Sequence, residues 1–156
     1  MNISVICIGK IKETYLKQGI DEFKKRLTPF CSLKIIELPA YQIKTPEDEK
    51  KAKTVEAQKI LENLSENSYN IAMEVKGNTL SSEGLAQKIS ELTVSGVNQI
   101  TFIIGGATGL DNSVLEKAHY KLSFSKLTFT HQMIRLLLLE QIYRAFKILN
   151  NEPYHK

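Results

Sequence analysis

The fold of this chain is decided by residues 102–109, which read FIIGGATG. An apolar run ending in glycines is typical of a buried strand whose backbone can approach a ligand, because no side chain stands in the way. Ligands of parallel α/β sheets bind beyond the carboxyl ends of the strands. The same glycines would also suit a tight strand-to-helix turn, so this stretch alone leaves a cofactor site and a simple turn both open.

The spacing of these glycines excludes two common cofactor motifs. A dinucleotide-binding fold would need G-x-G-x-x-G, and a phosphate-binding loop would need a lysine followed by serine or threonine after its last glycine. Residues 105–109 read GGATG and are followed by Leu110 and Asp111. The stretch therefore predicts binding of neither NAD nor ATP.

Strand and helix patterns alternate on both sides of this stretch. Short apolar and β-branched runs predict strands at residues 3–8, 33–38, 70–75, 100–104 and 120–124, with a turn at 76–78. Apolar spacings of three and four predict helices at residues 13–27, 46–64, about 82–92, 111–118 and 131–150. Residues suited to helix starts are Pro46, Ser81 or Ser82, Asp111 and Thr130. The alternation predicts an α/β fold, with a mainly parallel sheet covered on both faces, in one domain spanning residues 1–156.

The last predicted helix is apolar nearly all round, with four consecutive leucines at residues 136–139. Such a helix has to be buried, either in its own domain or against a second chain, and we expect a subunit interface. Four charged residues within the helix argue against a membrane span: Arg135, Glu140, Arg144 and Lys147. The N-terminal apolar run is short and has no cleavage pattern of a signal peptide, so we expect a cytoplasmic protein.

The overall composition is that of a folded protein, with 42% hydrophobic and 24% charged residues and a formal net charge of +4. That small positive charge permits a polyanionic partner without requiring one. Cys7 and Cys31 lie in apolar runs and are interpreted as buried thiols in a reducing compartment. The chain has no cluster of histidine, cysteine and carboxylate residues with zinc-site spacing, so we expect no metal.

Two further stretches carry candidate chemistry. Residues 122–131 read LSFSKLTFTH, and their hydroxyls and backbone amides could hold an adenosine or could cap the last helix. The terminal residues 154–156 read YHK, which offers an aromatic ring, an imidazole and a cation for RNA, or is a frayed chain end. His119 and His131 are single histidines beside apolar segments and are interpreted as structural hydrogen-bonding residues.

Taken together and in order, these stretches resemble the RlmH family of SPOUT-class methyltransferases, which act on large-subunit ribosomal RNA. The matching segments are residues 8–13 (IGKIKE), 71–77 (IAMEVKG), 81–83 (SSE), 102–109, 122–129, 131–133 (HQM), 143–145 (YRA) and 154–156. The resemblance extends over essentially the whole chain. Any single segment is weak evidence for the family, but the order of the segments and the matching chain length make the combination specific.

The resemblance implies a SPOUT sheet with a C-terminal trefoil knot, a homodimer, and S-adenosylmethionine as the cofactor. It implies methylation of N3 of a pseudouridine in large-subunit (23S) ribosomal RNA. The positions that match the family's cofactor-binding pattern are Met73, Gly105, Phe124, Ser125, Lys126, Leu127, Thr128 and Phe129. Met73 stands where the family often has leucine, a swap that conserves volume, and Thr130 stands where many relatives have proline.

The resemblance also suggests roles for the end of the chain. The proton on N3 has to leave before the nitrogen attacks well, so a general base or a water path is needed. His155 is the candidate base or positioning residue, Tyr154 a stacking or hydrogen-bonding partner, and Arg144 a phosphate ligand. The small net charge favours an assembled ribosome over a free transcript as the target.

Two other functions remain open at this point. One is a non-enzymatic, dimeric regulator or assembly factor that binds RNA or a nucleotide. The other is a methyltransferase of the same class that acts on a different RNA. Cofactor binding and methyl transfer would separate the first from an enzyme, and the identity of the modified nucleotide would separate the second.

Overall fold

The computed structural model of this protein describes residues 1–154. Strands and helices alternate along the chain, and the predicted elements are confirmed with ends that differ by a few residues. The strands are β1 (Asn2–Ile8), β2 (Ser32–Leu38), β3 (Tyr69–Thr79), β4 (Gln99–Ile104) and β5 (Tyr120–Ser123). The helices are α1 (Thr14–Leu27), α2 (Pro46–Glu62), α3 (Ser82–Val94), α4 (Asn112–Lys117) and α5 (Met133–Leu149).

The five strands form a single sheet in the order β2-β1-β4-β3-β5. Every neighbouring pair is parallel, so the carboxyl ends of all the strands meet at one edge. Alternate residues of β1 serve opposite faces: Ile3 and Val5 pack with α1, α3 and α5, whereas Ile6 and Ile8 pack with α2 and α4. The predicted α/β sheet, covered on both faces, is thereby confirmed, while the trefoil knot stays a prediction.

The predicted turn at residues 76–78 is wrong. Strand β3 continues to Thr79, and both Met73 and Asn78 pair with Leu122 of β5, so that residues 74–77 bulge out of the ladder. A Cβ atom on Gly77 would lie 2.7 Å from the carbonyl carbon of Lys121. Gly77 is therefore needed because β3 and β5 approach each other closely at this point. The residues in contact are far apart in the sequence, so a glycine required by another strand was mistaken for part of a local turn.

Helix α5 lies between α1 and α3 and turns one face fully into the core. The residues on that face are Arg135, Leu138, Leu139, Ile142 and Ala145. Thr130, the predicted cap, lies ahead of the first helical residue, yet its hydroxyl oxygen accepts a hydrogen bond of 3.1 Å from the backbone N–H of Met133. Within residues 1–154, no helix is long and apolar enough to cross a membrane.

The remaining apolar surface of α5 is only partly covered by its own chain. The partly buried residues are Ile134, Leu136, Leu137, Tyr143, Phe146 and Ile148. The core of the chain therefore buries one face of this helix and leaves the others partly open to solvent.

Candidate active site

A cleft opens at the edge of the sheet where the strands end. It is built from the bulge in the middle of β3, from the ends of β4 and β5, from the loop that follows β5, and from the residues before and in the first turn of α5. Its cavity volume is about 160 Å³, and further space beside it is open to solvent. This edge is also where ligands of parallel α/β sheets bind. We call it the inner cleft.

One wall of the inner cleft is the glycine loop, residues 105–109. The loop folds back on itself, and the N–H of Gly109 donates a hydrogen bond of 3.1 Å to the carbonyl oxygen of Gly106. A Cβ atom on Gly105 would lie 2.8 Å from the carbonyl carbon of Gly109. Gly109 itself has a φ of +78°, in the left-handed region that favours glycine. The loop therefore needs both glycines and presents bare backbone to a ligand.

The opposite wall is formed by residues 122–129, whose path is held by serine hydroxyls. The hydroxyl of Ser123 donates to the carbonyl oxygen of Ser125 at 3.0 Å, and the N–H of Leu127 donates to the hydroxyl oxygen of Ser125 at 3.0 Å. Leu127 and Phe129 line the cleft although 72% and 42% of their surfaces are exposed. Exposed apolar side chains at a cleft provide surface that a ligand can bury.

The structure brings most of the predicted cofactor positions to this cleft. Those that line it are Met73, Gly105, Phe124, Ser125, Leu127 and Phe129. The side chains of Lys126 and Thr128 are exposed and lie outside its lining.

Sequence reasoning missed several residues of the cleft. Glu74 and Val75 line the cleft because they lie in the bulge of β3. No local sequence pattern predicts that bulge. His131 and Ile134 reach it from the start of α5. A histidine directly before a helix that follows a candidate binding loop is the one signal that could have indicated such a role.

The two histidines that were interpreted as structural behave differently. His119 fits that interpretation, since its Nδ1 accepts a hydrogen bond of 2.9 Å from the N–H of Asn70 and its ring stacks on Tyr69. His131 is half-buried, and its imidazole has no hydrogen-bond partner among residues 1–154. Burial lowers the pKa of His131 below its usual 6.5, and the nearby charges of Arg135 and Lys12 lower it further.

Arg135 holds the first turn of α5 against the edge of the sheet. Its guanidinium donates to the carbonyl oxygens of Ile8 and Gly9 at 2.7 Å and 2.8 Å and to a carboxylate oxygen of Glu37 at 3.0 Å. Only 2% of Arg135 is exposed. These bonds satisfy carbonyl groups at the point where β1 ends, and they place His131, one turn earlier in the chain, beside Gly9.

The candidate catalytic residues Arg144 and Tyr154 lie together at the other end of α5. The hydroxyl of Tyr154 donates to a carboxylate oxygen of Glu140 at 3.1 Å, and the guanidinium carbon of Arg144 lies 4.8 Å from the centre of the Tyr154 ring. Ten residues separate Arg144 from Ile134 in the cleft, which is about 15 Å along a helix. The cleft and this cluster are thus separate within one chain. His155 lies outside the described residues.

Both thiols are free, Cys7 fully buried and Cys31 partly buried, and burial raises the pKa of each to about 11. In the part of the chain that the structure describes, no three histidine, cysteine or acidic residues lie close enough together to hold a metal ion.

Comparison with known proteins places the chain among methyltransferases. Residues 1–155 match the family described as "Predicted SPOUT methyltransferase". The chain is 55% identical to "Ribosomal RNA large subunit methyltransferase H" of Clostridioides difficile and 51% identical to the protein of the same name in Finegoldia magna. It is 48% identical to a "Putative ribosomal RNA large subunit methyltransferase H" of Methanococcus maripaludis. All three alignments cover 100% of both chains.

A solved structure supports the fold independently. A probable methylase family protein from Haemophilus influenzae superimposes with a TM-score of 0.53 over 96% of this chain and 66% of its own. At 17% identity, that likeness bears on the fold alone. The family match and the full-length relatives together decide the assignment: this chain belongs to the SPOUT methyltransferase family, in the group of the large-subunit ribosomal RNA methyltransferases H.

Proposed function

We propose that this chain is an enzyme that uses S-adenosylmethionine to methylate N3 of a pseudouridine in large-subunit (23S) ribosomal RNA. The observation that carries the proposal is the inner cleft, with its bare glycine wall at the carboxyl edge of a parallel sheet. The names of the full-length relatives support the substrate class.

The residues of the inner cleft fit this cofactor. A Cβ atom on Gly109 would meet no atom within 4 Å, so the glycine loop leaves open space in the cleft and a flat adenine or ribose can lie against its backbone. Met73, Leu127 and Phe129 supply apolar contacts, and serine hydroxyls are at hand for polar groups. When bound, S-adenosylmethionine supplies a methyl group already activated on a sulfonium. The chain itself has to hold the two reactants in line and keep competing water away.

The separation of the cleft from Arg144 and Tyr154 favours action between subunits. A tail held some 15 Å away along its own α5 is badly placed to reach its own cleft. We therefore propose a homodimer in which the tail of one subunit completes the cleft of the other. The partly uncovered apolar surface of α5 supports such an interface, because that surface would be buried against a second copy.

Within such a dimer, the tail residues meet the RNA. His155 is proposed to remove or direct the proton on the target base, and Tyr154 to stack on it or hydrogen-bond to it. Arg144 is proposed to hold a phosphate, exchanging its ion pair with Glu140 for that contact. A formal net charge of +4 gives little counterion-release energy, so an assembled ribosome in the cytoplasm is the proposed target.

The test is methyl transfer with a mapped product. The purified protein is incubated with methyl-labelled S-adenosylmethionine and either assembled ribosomes or free large-subunit RNA, and any labelled nucleotide is located. We expect label on N3 of a pseudouridine, with ribosomes the better substrate. Label on another nucleotide would contradict the proposed target but keep the reaction, and absence of cofactor binding would favour a non-enzymatic regulator.

A further inference from the structure

A second cleft adjoins the inner cleft and shares a wall with it. This outer cleft is lined by the residues just before α1, by the first turns of α1, by the glycine loop and by residues 129–132. Gly106, Phe129 and His131 line both clefts. The outer cleft has a cavity volume of about 430 Å³, which is ample for a nucleobase. The two spaces are therefore neighbours along these three residues.

The exposed phenylalanine and tyrosine rings of the described residues lie in the outer cleft. Within residues 1–154, the only exposed phenylalanine and tyrosine side chains are Tyr15, at 61%, and Phe129, at 42%. Both line the outer cleft, although they are more than one hundred positions apart in the sequence. Aromatic side chains left open to solvent are the groups on which proteins stack unpaired RNA bases.

His131 stands where the two clefts meet. Its imidazole is half-buried and has no hydrogen-bond partner in the described part of the chain, so one ring nitrogen is available to a ligand. A Cβ atom on Gly9 would lie 3.5 Å from Nε2 of His131, so the ring tip is packed beside the end of β1. Arg135, one turn later on α5, is locked to the same strand end and keeps the ring in place.

We propose that the outer cleft binds the base to be methylated and that His131 is the catalytic residue facing the nitrogen that receives the methyl group. The base lies against Tyr15 and Phe129, with its edge turned past His131 towards the inner cleft. This inference rests on the proposed function and deepens it. It assigns proton removal to His131 and leaves positioning to His155 in the tail.

The proposed step balances in atoms and electrons. The N–H bond of the base breaks and its proton passes to the free nitrogen of His131. The base nitrogen uses the electron pair so released to form a bond to the methyl carbon. The bond from that carbon to the sulfonium sulfur breaks, and its electron pair stays on sulfur as a neutral thioether. The cation so formed at His131 then gives its proton to water in the open outer cleft.

The charges around His131 favour its neutral, proton-accepting form at neutral pH. Burial, Arg135 and Lys12 all lower its pKa below 6.5. The other charged or titratable groups that line the two clefts or pair with Arg135 are Glu13, Tyr15, Glu74 and Glu37. A base that has to be neutral gives a rate that falls as the pH drops through its pKa, so the acid limb of the rate should lie below pH 6.5.

The kinetic test compares three variants in single-turnover methyl transfer to assembled ribosomes, at pH values on both sides of 6.5. His131→Asn should leave cofactor affinity unchanged, lower the rate about 100-fold or more and remove the acid limb, with partial rescue by added imidazole. Tyr15→Ala should raise KM for the ribosome about tenfold at unchanged cofactor affinity. Leu127→Ala is the matched control, because Leu127 lines the inner cleft alone, and it should weaken cofactor binding instead.

A binding test separates this inference from the proposed function. A short RNA hairpin containing pseudouridine is added to the protein with the cofactor, and the imidazole signals are followed by NMR. The His131 signals should move and those of His119 should not. A His131→Asn variant with wild-type rates at every pH, or unmoved His131 signals, would overturn the inference. If the His131 signals of the wild-type chain move but the chain methylates no RNA, the proposed function is wrong and the binding inference stands.

Discussion

Arg135 donates a hydrogen bond of 2.8 Å to the carbonyl oxygen of Gly9 and so joins α5 to the end of β1, across 126 positions of sequence. A second bond, to Ile8, makes the attachment bidentate. The arginine is almost fully buried, so both carbonyl groups would lose their partners without it. The position of the shared wall between the clefts depends on this attachment, because His131 lies one helical turn before Arg135.

Replacing Arg135 by methionine should therefore destabilise the fold strongly. Each of the two buried carbonyls left without a partner costs about 1–3 kcal/mol, so we expect the free energy of unfolding to fall by about 2–6 kcal/mol. Urea unfolding measures this loss. Arg26→Met is the control, since Arg26 forms an exposed ion pair with Glu22, and it should lower the free energy of unfolding far less. Equal losses in the two variants would show that the Arg135 bonds are not important.

Gly105→Ala should damage the inner cleft while leaving the chain folded. The added methyl would lie 2.8 Å from the Gly109 carbonyl carbon, so the loop would have to open. We expect S-adenosylmethionine affinity, measured by calorimetry, to fall about tenfold or more, which is about 1.4 kcal/mol. Gly84→Ala is the matched control, because its methyl would meet the Ser81 hydroxyl at an ordinary 3.4 Å. Unchanged affinity in Gly105→Ala would contradict the role given to the glycine loop.

Glu56 should make stability depend on pH. It is 4% exposed, and one carboxylate oxygen accepts from the N–H of Tyr41 at 3.1 Å, while the other has no hydrogen-bond partner within residues 1–154. Burial raises the pKa of Glu56 above its usual 4.5. The folded state thus binds this proton more tightly than the unfolded state. Its stabilising contribution is fully present below pH 4.5 and is lost as the pH rises through the raised pKa.

Glu56→Gln tests that dependence, because glutamine keeps an acceptor for Tyr41 and cannot ionise. At neutral pH we expect it to unfold at a higher urea concentration than the wild type, with the gap closing as the pH approaches 4.5. Glu116→Gln, on the exposed side of α4, should show no such trend. A Glu56→Gln protein that is less stable than the wild type at neutral pH would contradict this account.

The tail should act across the dimer. A chain lacking residues 154–156 should bind S-adenosylmethionine normally and methylate nothing, because the contacts with the target base are lost. Mixing it with the Gly105→Ala chain should restore activity. In a mixed dimer, the truncated subunit supplies a cleft with an intact glycine loop, and the Gly105→Ala subunit supplies an intact tail to that cleft. Labelled methyl transfer by the mixture, compared with each parent alone, is the measurement. Full activity in the truncated chain would refute a role for the tail.

The strands and helices were predictable because each depends on residues close together in the chain. Apolar runs and glycine at residues 102–109 indicated β4 and the loop after it, and Asp111 was recognisable as a cap whose side chain accepts from the N–H of Ser113. The turn expected at residues 76–78 failed for the opposite reason. Gly77 is required by the backbone of Lys121, which lies in another strand.

Local sequence patterns were enough to predict the parallel α/β architecture and the glycine loop at the end of β4, and the resemblance indicated the family. The positions of His131 between two clefts and of Arg144 and Tyr154 at the far end of α5 became visible in the folded chain alone. The difference lies in how far apart in the sequence the interacting residues are. Helix caps and apolar periods are local, whereas the place of His131 depends on Gly9 and Arg135, which meet only once the sheet has formed and the last helix has packed onto it.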